Sequence, residues 1–106
     1  MSTSTPPADG PASDPTAPID AIDLYWRRGC GFCAMLDRKL SRTGLPVRRH
    51  DIWADPEAAA VVRSVARGNE TVPTVGVGGE HLVNPSLNAV LDLVARRAPH
   101  LLDARD

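Results

Sequence analysis

Residues 22–33 read Ile22-Asp23-Leu24-Tyr25-Trp26-Arg27-Arg28-Gly29-Cys30-Gly31-Phe32-Cys33. Ile22, Leu24 and Trp26 alternate with Asp23 and Tyr25, and the run is rich in residues suited to extended backbone, so 22–26 reads as a strand. Arg27-Arg28-Gly29 is a loop. From Cys33 to Thr43 the period changes. Cys33, Leu36 and Leu40 recur at i, i+3 and i+7, while Arg38, Lys39 and Arg42 face away, which is the pattern of an amphipathic helix. Gly44 suits its C-terminal cap and Pro46 blocks continuation. A C-x-x-C pair therefore stands where a strand hands over to a helix.

Working outward, Val47–Trp53 is a second strand. Asp55-Pro56-Glu57 starts a helix, with an Asp cap, a proline in the first turn and an acid near the positive end of the dipole. Ala58, Val61, Val62 and Val65 continue it to Gly68-Asn69. In Thr71–Val77 the β-branched run is interrupted by Pro73, which cannot join a central ladder, so the strand begins after it. Gly78-Gly79 is a hairpin turn and His81-Leu82-Val83 the return strand. Asn84-Pro85 caps a last helix whose stripe is Leu87, Val90, Leu91 and Val94, ending before Pro99. Leu101 and Leu102 are candidates to fold back on the domain. The order β-α-β-α-β-β-α makes an α/β domain: a four-stranded mixed sheet with three flanking helices on both faces.

Composition narrows the classes. Residues 1–18 hold five of the ten prolines, with Ser, Thr and Ala and no aromatic or basic residue. They lack the apolar surface to offset their ordering entropy and read as a disordered tail. The remaining 88 of 106 residues make one small domain, 19–106. The tail has no positive start and no apolar run, so it does not read as a secretory signal, and no stretch is long enough to span a membrane. A soluble, cytoplasmic chain is expected. The formal net charge of −1 gives no reason to expect nucleic acid or an anionic membrane as partner.

Two cysteines are too few for a disulfide scaffold, and in a reducing compartment a C-x-x-C pair is redox-active or metal-binding. After a strand and at the head of a helix, the spacing is that of thioredoxin-like redox centres. The unpaired N–H groups and dipole at the helix start favour a thiolate on Cys30, and Arg27 and Arg28 add positive charge. Cys33, one turn further on the Leu36 face, is expected to be more buried. Cys30 is thus the expected nucleophile and Cys33 the resolving thiol. Zinc is the rival, but it needs four ligands, and only His50, His81 and His100 are left to complete a set, none at ligand spacing from the pair. No metal is assigned. Trp26 and Trp53 are expected in the core or at its edge.

Over about residues 20–98 the chain resembles the glutaredoxins. Cys30-Gly31-Phe32-Cys33 follows a strand, Arg27 stands three residues before the first cysteine, Thr71-Val72-Pro73 matches the family's T-V-P, and a hairpin leads to a final helix. The resemblance implies a glutaredoxin-type thioredoxin fold and a thiol–disulfide oxidoreductase. It implies that Pro73 is cis and faces the site, and that the Val72 backbone pairs with the bound thiol. Arg27, Phe32, Thr71, Val72 and Pro73 are then the substrate-binding residues. The stretch Leu82-Val83-Asn84-Pro85-Ser86 has no acidic pair of the kind that many glutathione-using members place after the hairpin. T-V-P-T-V followed by N-P-S is closer to the mycoredoxins, glutaredoxin-like proteins of actinobacteria that use mycothiol, and the Arg-rich composition fits such a source. The resemblance implies no tightly bound cofactor, mycothiol or glutathione as co-substrate, thiolated or disulfide-bearing proteins as partners, and a monomer. Two alternatives stay open: an electron donor reduced by thioredoxin reductase and serving a ribonucleotide reductase-type partner, and a non-enzymatic metal or iron–sulfur module on the same fold.

Overall fold

The computed structural model describes residues 18–103. The tail assigned to residues 1–18 lies outside them except for Pro18, as do residues 104–106. Among the described residues the elements are β1 (Ile22–Trp26), α1 (Gly31–Ser41), β2 (Val47–Asp51), α2 (Pro56–Val65), β3 (Thr74–Val77), β4 (Glu80–Val83), α3 (Leu87–Arg97) and α4 (Pro99–Asp103). The strands form one sheet in the order β2-β1-β3-β4. β1 runs parallel to β2, antiparallel to β3, and β3 pairs antiparallel with β4. The mixed sheet is the one expected from the sequence.

The alternation along β1 divides the interior. Ile22 and Leu24 join Val75 and Val77 of β3 against Leu36 and Leu40 of α1 and Val90, Leu93 and Val94 of α3. On the other face Tyr25 packs with Ile52 and with Ala58, Ala59 and Val62 of α2. Several boundaries differ from the sequence reading; α1 runs two residues earlier, from Gly31 to Ser41, and β4 opens at Glu80. β2 stops at Asp51, because the Asp51 carboxylate accepts the Trp53 N–H at 2.9 Å and turns the chain out of the ladder. The cap of α3 is Ser86, whose hydroxyl accepts from the Ala89 N–H at 3.1 Å, while Asn84 takes a left-handed conformation (φ 51°) just before it. A fourth helix, α4, follows Pro99, which is tolerated in a first helical turn; Leu101 anchors it in the larger core.

Candidate active site

Cys30 is the N-cap of α1, in extended backbone (φ −93°, ψ 103°), and its Sγ accepts the Cys33 N–H at 3.1 Å. Gly29 precedes it at φ 76°, a conformation that costs any other residue. The first turn of α1 has no acid to offset the positive helix end. Cys30 is half-buried, while Cys33 is 3% exposed beside Leu36. The two cysteines are joined as a disulfide, with Cα atoms 5.2 Å apart.

The loop before β3 faces this pair. The Val72–Pro73 peptide is cis, and the Val72 carbonyl oxygen lies 3.9 Å from Cys30 Sγ. Thr71 is exposed, Val72 half-buried and Pro73 buried. The loop is held from both ends. Thr74 Oγ1 donates to the Thr71 carbonyl at 2.8 Å, and the Asn84 N–H donates to the Pro73 carbonyl at 2.7 Å. Asn84 thereby ties the end of β4 to the loop that confronts Cys30.

On the other side of Cys30 a cleft of about 440 Å³ runs between α1 and the β1–β2 edge. Leu24, Trp26 and Ala34 line it together with both cysteines; Arg27 stands at its rim, and Asp37 and Arg49 close its far end. Arg49 grips Asp37 with both Nε and Nη2 (3.0 and 2.7 Å), which raises the Arg49 pKa. Trp53 is not a core residue. It is 62% exposed, turned outward by the Asp51 turn, and the Arg27 guanidinium carbon sits 5.4 Å from its ring centre. Phe32 is also exposed, at 66%.

The opposite sheet face carries a polar row. Asp23, 2% exposed, accepts from Arg48 Nε at 3.1 Å and meets His50 Nε2 at 2.8 Å. Burial alone would raise its pKa, but the bonds from His50 and Arg48 together outweigh it, so the carboxyl titrates below its usual 3.8. Tyr25 stacks on His50 at 4.8 Å, and its hydroxyl is pushed up to about 12 by burial, with the Asp23 charge adding to it. His81 lies over Gly76, where a β-carbon would come within 2.8 Å of its ring, and burial lowers its pKa. His50 and His81 thus belong to this row, and His100 meets the Ile19 carbonyl at 2.6 Å. The three histidines weighed as partners of a zinc site are engaged away from the cysteines.

The family model for glutaredoxin matches residues 22–82 of this chain. The chain belongs to the glutaredoxin family. A sequence-predicted glutaredoxin of Mycobacterium tuberculosis is 38% identical over 71 residues, covering 66% of this chain and 84% of the relative. Among solved structures, a thioredoxin-like protein superposes with a TM-score of 0.62 at 19% identity, over 70% of this chain and 94% of that one. A buckwheat glutaredoxin–glutathione complex superposes with a TM-score of 0.55 at 18% identity, over 80% of this chain and 78% of that one. The fold is therefore thioredoxin-like, of the glutaredoxin type, and the protein is a thiol–disulfide oxidoreductase with its cysteine pair at the head of α1.

This glutaredoxin gathers the residues singled out in its sequence at one end of the sheet. Cys30, Cys33 and Phe32 open α1, Arg27 begins the loop that leads to them from β1, and Val72 faces Cys30 from across the site. The sequence reading missed Trp53 and the Asp37–Arg49 closure of the cleft. The signal for Trp53 was present: Asp51 two residues before it is a residue type that turns a chain by bonding the backbone ahead. The Asp37–Arg49 pair had no local signal, since it joins a helix to a strand that only the parallel crossover brings together.

Proposed function

We propose that this glutaredoxin reduces mixed disulfides between proteins and a low-molecular-weight thiol in the cytoplasm, as a monomer without a tightly bound cofactor, and that the thiol is mycothiol. The observation that carries the reading is the asymmetry of the pair. Cys30 is accessible at a helix start with an N–H aimed at its sulfur, and Cys33 is buried beneath it. In the reduced protein that N–H and the helix end favour the Cys30 thiolate. The thiolate attacks the small thiol's sulfur in the mixed disulfide. A Cys30–sulfur bond forms, the protein thiolate leaves and takes up a proton. A second small-thiol thiolate then attacks the adduct, releasing Cys30 and a small-molecule disulfide; alternatively Cys33 attacks Cys30, closing the internal disulfide and expelling the small thiol. Val72 supplies backbone pairing to the bound thiol, Pro73 and Thr71 shape that strand-like edge, and Arg27 and Phe32 border it.

Mycothiol is favoured over glutathione because the stretch 83–86 has no acid, and the carboxylates bordering the cleft and the Trp53 turn are already engaged. Asp37 holds Arg49, Asp51 holds the Trp53 N–H, and Asp55 caps α2. A free α-ammonium group meets there only carboxylates that already hold a donor. The reducing cytoplasm suits a dithiol that must be returned to its reduced form, and among the described residues no helix is long and apolar enough to cross a membrane. Turnover of a mycothiol–peptide disulfide with mycothiol, run beside the glutathione pair, tests the reading. Faster turnover in the mycothiol arm is expected; equal or faster turnover with glutathione would reject that thiol.

A further inference from the structure

Four large apolar side chains are notably exposed among the described residues: Phe32, Met35, Trp53 and Val83. They are not scattered. Phe32 opens α1, Trp53 follows the C-terminal end of β2 and Val83 ends β4, so these three share the end of the sheet that carries Cys30, with Met35 one turn along α1. Trp53 is the one held by its surroundings. Its N–H is bonded to Asp51 at 2.9 Å, the Asp51 carboxylate lies 4.0 Å from Arg28, and Arg27 covers the indole at 5.4 Å while donating to the Arg28 carbonyl at 3.1 Å. Arg27 also lines the cleft that contains both cysteines. A ring backed in this way by a residue that lines the cleft, and still 62% exposed, is preorganised for a contact it does not yet make.

We propose that Trp53, backed by Arg27, is the specificity-determining platform of this site and stacks on the sugar ring of the small thiol. The inference rests on the mycothiol reading above and deepens it. The cysteine of mycothiol is carried on a glucosamine–inositol unit, whose rings present C–H groups on their faces and hydroxyls at their edges. An indole face matches the former, and guanidinium N–H groups at the platform's edge match the latter. A charged tripeptide has no ring to lay on the indole, so on this platform it gains only the Arg27 N–H groups.

The test uses the full chain and three peptide mixed disulfides, carrying mycothiol, glutathione or 2-mercaptoethanol, the last having no ring. Trp53→Ala should lower kcat/KM for the mycothiol arm about five- to tenfold more than for the mercaptoethanol arm, through KM, which is the worth of one aromatic contact. Trp53→Phe should restore most of the difference. An equal loss in all three arms would show a merely structural role and overturn the proposal, and so would an unchanged mycothiol arm. The two readings fail differently. Wild-type protein that does not favour mycothiol rejects both, whereas wild-type protein that favours it, with Trp53→Ala keeping the same preference, rejects the platform alone.

Discussion

Asp23→Asn is the sharpest test of how the polar row supports the fold. The substitution keeps the side chain's shape and one acceptor oxygen and removes the charge, so it opens no cavity. Two interactions lose charge assistance. The contact with His50 is buried on the Asp23 side and half-buried on the His50 side, and is worth roughly 1.5–3 kcal/mol as a hydrogen bond to a charged group. The contact with Arg48 is 46% exposed on the arginine side and Arg48 keeps Asp20 at 3.0 Å, so it adds about 0–1 kcal/mol. Because asparagine keeps an acceptor, only the charge-assisted part is lost, about 1–2.5 kcal/mol at neutral pH, against the roughly 5–15 kcal/mol of a small domain. The pH dependence separates charge from shape. Because the folded Asp23 pKa lies below 3.8, its contribution is complete above that value and is lost as pH falls through the folded pKa. Asparagine does not titrate, so the gap between wild type and variant should close with acidification. Urea unfolding from about pH 7 to about pH 3 measures it. A gap below about 0.5 kcal/mol at neutral pH, or one that stays constant down to the lowest pH, would refute the reasoning.

Cys30→Ser should abolish turnover, while Cys33→Ser should retain part of the mixed-disulfide reduction through a second small thiol; steady-state assays with each variant decide, and full activity in Cys30→Ser would defeat the assigned roles. His81 is held neutral by burial, with its folded pKa below 6.5, so the unfolded chain takes up its proton first as pH drops; stability should decline from about pH 6.5 downward, and His81→Leu should flatten that part of the profile in urea titrations. Leu93→Ala, at a fully buried position of α3, should cost about 2–5 kcal/mol by the same measurement and leave the order of preference among small thiols unaltered.

The features legible in the sequence were those with a local cause. The change from period 2 to period 3.6 around Cys30, the proline that delays β3 and the Gly78-Gly79 turn each act within a few residues, and all of these elements stand within two residues of where the pattern put them. What escaped was set by contacts distant in sequence. Alternation along β1 shows that Asp23 and Tyr25 point away from Leu24, but not that this second face is closed by α2 and His81, because β4 lies 58 residues further along, as the Asp23–Gly76–His81 register makes plain. Trp53 was misplaced for a different reason. Hydrophobicity argued for the core, and a single hydrogen bond from its own N–H to Asp51 reversed that outcome.

β1 has two duties, and its pleat keeps them apart. Leu24 and Trp26 face the cleft, while Asp23 and Tyr25 face the polar row. Across the sheet Tyr25 is opposite His50 on one side and Thr74 on the other, and Thr74 is the residue that follows Pro73 and bonds back to Thr71. The row thus ends beneath the loop that presents Val72 to Cys30. Asp23→Asn should therefore reach the site only by loosening that loop, and its effect on thiol exchange should be uniform across small thiols, whereas a change at Trp53 should be selective among them. Asp23 is bonded to Arg48 and His50, and Trp53 is held by Asp51 and Arg27, so the two perturbations share none of these partners and should add independently.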